Sequence, residues 1–182
     1  MGESLLLHNI LSKLHEIPIY LYVIIIANSI VLWAAFAVLF HKRRLWKWIN
    51  IILLVLTVFL VLLLTLAFRN ASQRSYSWLP FSSFMLAQEF PDLYQEMMLN
   101  VILFLPIGMT MPFVFGDRVK HTILLTVGIS ILLSVLIEFL QFILMRGYAE
   151  IDDVICNTVG ACLGVLPFGS LQIFLRGDIC QK

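Results

Sequence analysis

The sequence predicts an all-α fold, a polytopic bundle of about five membrane helices. Three observations predict it. Charged residues make up 13% of the 182 positions and hydrophobic residues 61%, far from the balance of a water-soluble domain. Mean hydropathy is +0.98. Several apolar runs reach or approach the roughly 20 residues needed to cross a hydrocarbon core. One integral domain is expected, with a segment over 1–69 preceding a core over 70–182. The net charge of +1 says nothing about nucleic acid, and with no basic face interleaved with aromatics no nucleic-acid partner is expected. Membrane lipids are the first expected partners.

In chain order, residues 1–16 place Leu7, Leu11 and Leu14 at helical spacing, which suits either an interfacial helix or a frayed terminus. A span follows over 19–40, halted by His41, Lys42, Arg43 and Arg44. Because the basic cluster follows this run, it does not read as a cleavable signal. A second span over 49–68 is nearly pure Leu, Ile and Val and reads as a lipid-facing or packing helix. Residues 69–97 form the longest break. Tyr76, Trp78, Phe81 and Phe84 alternate there with small polar residues, as interfacial belts do, so this stretch is expected to enter the headgroup layer.

A third span over 98–115 carries Asn100, Pro106, Gly108 and Pro112. Proline removes an amide donor and crowds the turn before it, so a bend near the Ile102 carbonyl is expected. Gly108 leaves room for close packing. The basic turn at 116–121 precedes a fourth span over 122–144, and a fifth runs over 154–175. Counting Lys and Arg orients the chain. Eight (Lys42, Arg43, Arg44, Lys47, Arg118, Lys120, Arg176, Lys182) fall on one side and four (Lys13, Arg69, Arg74, Arg146) on the other. The positive-inside rule then puts the N-terminus out, the C-terminus in, and the 145–153 connection outside.

The scarce polar groups concentrate between Ser134 and Gly164. Ser130, Ser134, Glu138 and Gln141 lie on one face of the fourth span, since residues three and four apart share a helix face. Glu138 lies roughly 9 Å inside the end of that span, at 1.5 Å per residue. A carboxylate at such depth costs on the order of 2–3 kcal/mol on insertion scales and usually faces a partner or a wet cavity. Arg146 is its nearest candidate partner in sequence, ahead of Arg69 and Arg74. The bland alternative is a structural ion pair or hydrogen bond locking two helices. Asp153, Asn157, Gly160 and Gly164 share one face of the fifth span. The Gly160/Gly164 pair reads as helix packing, within the protein or between copies. Asp152 and Asp153 suit either a cation held with Asn157 or capping of the fifth helix. Capping is the preferred reading for one of them, and neither metal nor cofactor is expected. Cys156, Cys162 and Cys180 have no metal spacing and read as packing thiols. No Ser–His or Cys–His nucleophile arrangement occurs, so any catalysis falls to Glu138 or Asp153 as general acid or base.

At these residues the chain resembles the VanZ family of bacterial membrane proteins. The matching stretches are Gln-Glu-Met-Met-Leu-Asn-Val-Ile-Leu-Phe-Leu-Pro-Ile-Gly at 95–108, Ile-Glu-Phe-Leu-Gln-Phe at 137–142, and Ile-Asp-Asp-Val-Ile-Cys-Asn-Thr-Val-Gly-Ala-Cys-Leu-Gly at 151–164. Leu79-Pro80-Phe81 fits the family segment before them. The resemblance covers about 70–168. It carries over to Asn100, Phe104, Pro106, Gly108, Glu138, Gln141, Arg146, Asp153, Asn157 and Gly160. The first span is an addition relative to the shortest members, and the C-terminal extension is short. The resemblance implies a cell-envelope protein associated with resistance to glycopeptide antibiotics, chiefly teicoplanin-type lipoglycopeptides. The expected partner is then the antibiotic or a lipid-linked wall precursor. In an outward-facing polar pocket, Arg146 and Arg69 would pair with an anionic group, and Glu138, Gln141, Asn100 and Asn157 would hydrogen-bond it. The alternative is an integral enzyme acting on a lipid-linked or polymer headgroup. A proton-coupled transporter ranks last, because no internal repeat is found.

Overall fold

A computed structural model describes residues 44–67, 75–90, 92–115 and 119–180, the last ten by backbone alone. The expected span over 19–40, the segment 1–16, Arg69 and Arg74 lie outside these residues. Helix α1, Arg44–Leu62, closes with a π turn over Leu63–Ala67. A two-residue strand β1, Tyr76–Ser77, and a single-turn helix α2, Ser82–Leu86, follow. Helix α3 is Asp92–Phe115 and α4 is Val119–Leu144. Strand β2, Ala149–Glu150, leads directly into α5, Ile151–Cys180. Four helical segments among the described residues are long and apolar enough to cross a membrane: Arg44–Leu66, Asp92–Phe115, Val119–Leu144 and Ile151–Ser170. The protein is a multi-pass membrane protein with an all-α core.

Helices α3 and α5 form its axis. Half of each spanning window is buried, against 11% for α1. Glycine explains the close fit. A Cβ on Gly160 would collide with the Val101 carbonyl oxygen, on Gly164 with that of Leu105, and on Gly108 with that of Ala161. Backbone therefore meets backbone along this seam, as small-residue motifs permit. The register rises together on both helices, so α3 and α5 run parallel. Helix α1 runs antiparallel to α3: Trp46 near its start stacks edge-on against Phe113, with ring centroids 5.9 Å apart. Val61 near its end joins Phe104, Ile107, Met111, Ile137 and Ala161 in the central apolar cluster. Much of α1 points outward, including Leu53, Leu56, Phe59 and Leu60, which suits contact with acyl chains.

Helix α4 has the reverse pattern to a water-soluble helix. Its buried positions are Thr122, Thr126, Ser130, Ser134, Ile137, Glu138 and Gln141, while Leu124, Leu132, Leu136 and Phe139 are exposed. In hydrocarbon, apolar side chains lose nothing by facing outward, and polar groups gain partners only by turning in.

Two boundaries differ from the sequence reading. Helix α3 begins at Asp92 rather than near 98, because α2 covers its first turns: Met97 packs with Ala87 and Cys156. Helix α5 begins at Ile151 rather than 154, so both aspartates stand in its first turn. Helix α3 runs unbroken through Pro106 and Pro112. The 75–90 segment is also more ordered than a loop. Tyr76 and Ser77 pair in parallel with Ala149 and Glu150, and the Tyr148 hydroxyl donates to the Tyr76 carbonyl at 3.1 Å. The segment is thereby strapped across one end of the bundle.

Candidate functional site at the strapped end

The strap is held by carboxylates from the end of the α4–α5 connection and the first turn of α5. Phe81, the residue before α2, has a left-handed backbone with φ 65° and offers no side-chain oxygen to cap that helix. Asp152 supplies the missing acceptors. One of its oxygens accepts the Phe81 N–H at 2.6 Å and the other accepts the Ser83 N–H at 2.8 Å. The aspartate caps a helix, as one reading of the sequence had it, but the helix is α2 and not its own. Glu150 Oε2 accepts the Ser83 hydroxyl at 2.6 Å. Glu138 reaches across from α4, and its Oε2 accepts the Glu150 N–H at 3.0 Å. That amide immediately precedes α5, so Glu138 satisfies a donor at the helix start.

A second polar layer lies about one turn deeper. Asn157 Nδ2 donates to Ser134 Oγ at 2.8 Å, which joins α5 to α4. Asn100 adjoins Val101, whose carbonyl abuts Gly160, so Asn100 and Asn157 sit within about a turn of the same level. Both are buried, with 8% and 3% of their surface exposed. Gln141 lies nearer the end of α4. Its Nε2 donates to the Thr65 carbonyl in the π turn at 3.0 Å. Among the described residues, Asn100 Nδ2, Asn157 Oδ1 and Gln141 Oε1 have no hydrogen-bond partner. A buried polar atom in that state costs about 1–3 kcal/mol.

The predicted residues therefore separate into roles. Glu138, Gln141, Asn157 and Asp152 converge at this end, and Asp153 is buried beside them with 8% exposure. Gly108, Gly160 and Gly164 lie in the α3–α5 seam below. Arg146 is exposed. Its amide donates to the Gln141 carbonyl at 2.9 Å, in a turn where Met145 has φ 54° and Gly147 φ 88°. Arg69 lies outside the described residues. No group of three or more His, Cys, Asp or Glu among the described residues is placed to hold a metal ion.

Three contributors escaped sequence reading. Ser83 and the backbone of Phe81 lie about 70 positions from Asp152, and nothing local marks them. The third is Thr65, on the span that read as a lipid-facing or packing helix, and it contributes through its backbone carbonyl, which accepts from Gln141. No sequence signal marks it, since the acceptor is a backbone carbonyl and the Thr65 hydroxyl donates within its own helix to the Val61 carbonyl at 2.7 Å.

The family model VanZ/LLP1 matches residues 48–173. The chain belongs to the VanZ/LLP1 family. Protein VanZ of Enterococcus faecium is 34% identical over 100 residues, which cover 55% of this chain and 56% of that protein. The alignment thus spans about half the length of this relative. No solved structure matches. The VanZ/LLP1 match reaches from α1 into α5 and takes in the strap, both polar layers and the glycine seam.

Proposed function

We propose that this VanZ/LLP1 protein acts at the outer leaflet in glycopeptide resistance. In this reading, the strapped end faces outward and presents a polar pocket that alters the action of teicoplanin-type lipoglycopeptides. The observation that carries it is the three buried amide side chains of Asn100, Asn157 and Gln141. Each keeps a hydrogen-bonding atom uncommitted among the described residues, Asn100 and Asn157 a little below the carboxylates that hold the strap and Gln141 nearer the end of α4. Uncommitted donors and acceptors at headgroup depth suit the polar part of an amphiphile, the drug itself or a lipid-linked wall precursor. Arg146 at the rim supplies a cation for an anionic group.

The test is susceptibility to teicoplanin and vancomycin in a sensitive Gram-positive host, at matched membrane abundance. Wild type should protect against teicoplanin, and Asn157→Leu should lose much of that protection. Failure of wild type to protect would end this reading. The enzymatic alternative finds less support. Glu138 already accepts from the start of α5, an engagement that suits holding the site better than moving a proton. An altered lipid or wall-precursor profile in expressing cells, measured by mass spectrometry, would reverse that preference.

A further inference from the structure

We propose that an open groove beside the strapped end seats an acyl chain of an anionic phospholipid, with the lipid phosphate held at Arg146. The groove has a volume of about 480 Å3 and is lined by Phe59, Leu62, Leu63, Leu66, Leu144 and Arg146. That volume falls within the range of ordinary small-molecule sites. Among the described residues, five of the six lining side chains are hydrocarbon. The sixth is a guanidinium, at the end of the groove where α4 gives way to the connection. This is the polarity of a single amphiphile, with an apolar tail and one anionic head.

Several features favour a phospholipid as the occupant. The groove is continuous with outward-facing apolar surface: Leu60 on α1 and Ile143 on α4 flank its lining residues and are exposed. Lipid already bathes such surface, so a chain reaches the groove by lateral movement alone. The cation sets which lipid stays. Arginine presents a planar fork of donors that matches phosphate, and Arg146 stands just beyond the last turn of a membrane helix, the depth at which phosphates lie. Among the described residues lining the groove there is no carboxylate, and Glu150 and Asp152 face the strap. An anionic head is therefore accepted on the groove side and repelled on the strap side.

The π turn shapes the receptor. Leu63 and Leu66 belong to Leu63–Ala67, and its Thr65 carbonyl is tied to Gln141 on α4. That bond holds the two walls, α1 and α4, at a set distance.

The experiment reconstitutes the full-length protein in vesicles of phosphatidylcholine doped with a lipid carrying a photoreactive diazirine on one acyl chain. The probe is phosphatidylglycerol in one arm and phosphatidylcholine in the other. Adducts are mapped by mass spectrometry. The expected result is labelling at 59–66 and 144, about fivefold stronger from phosphatidylglycerol, the ratio one interfacial cation supplies. Arg146→Gln should bring the ratio to about one, and Arg146→Lys, which keeps the charge, should retain it. Leu63→Trp, which fills the groove, should remove labelling at 144 while leaving Arg146 in place. Equal labelling by the two lipids in wild type, or a preference that survives Arg146→Gln, overturns the proposal. So does the absence of adducts in the groove, which would mean that another part of the chain fills it. No drug enters this assay, so it can fail while teicoplanin protection holds, and the reverse.

Discussion

Asp152 is the residue whose loss should be felt most directly. Its two oxygens each accept a backbone amide of the α2 start, so Asp152→Ala strands two donors at once. The expected cost is about 1–3 kcal/mol, from unmade hydrogen bonds and a lost helix cap. Thermal unfolding of the purified protein in detergent should show a lower midpoint, and limited proteolysis should cut first within 75–90. Unchanged cleavage there would mean that strand pairing alone holds the strap. Ser134→Ala is a milder change. It removes the acceptor for Asn157 Nδ2, and interhelical hydrogen bonds in membranes average only about 0.6 kcal/mol. The same unfolding measurement should register a small shift, well short of that for Asp152→Ala. At this scale the sequence was informative about type and poor about partner. Glu138, Gln141 and Asn157 announced themselves as rare polar groups on helix faces. Their partners include an amide twelve residues on, a carbonyl 76 residues back and a hydroxyl 23 residues back, and spacing along one helix cannot supply such pairings.

Among elements, the α3–α5 seam is the least forgiving. A methyl group at Gly160 would meet the Val101 carbonyl oxygen, which is backbone and cannot rotate away. Gly160→Ala should therefore push the helices apart and destabilise by about 1–3 kcal/mol, the usual range for an overpacked core. Gly128→Ala is the matched control. A Cβ there has nothing within 4 Å, so the substitution should be neutral or stabilise by up to about 1 kcal/mol through helix propensity. Paired unfolding curves would decide it, and similar behaviour of the two variants would contradict the seam. The Gly-x-x-x-Gly spacing suggested close packing from sequence. It could not say whether the neighbour was α3, another helix or a second copy.

For the whole molecule, the prediction is orientation. The excess of Lys and Arg on one set of connections predicts that 145–153 lies outside. In a background lacking Cys156, Cys162 and Cys180, Tyr148→Cys should react with a membrane-impermeant maleimide in intact cells. Lys120→Cys should react only after permeabilisation. The reverse pattern would turn the strapped end inward and remove the basis for action on an outer-leaflet drug. By itself, the sequence determined the class, the order of the four described spans and the faces of α4 and α5 that carry polar groups. Those features rest on composition and on a 3.6-residue period, both local properties of the chain. The strap, the cap that Asp152 provides to α2, the parallel fit of α3 on α5 and the groove below Arg146 were decided by tertiary structure. Each joins positions far apart in the chain, and such pairings are selected by burial and hydrogen-bond satisfaction after the helices have met.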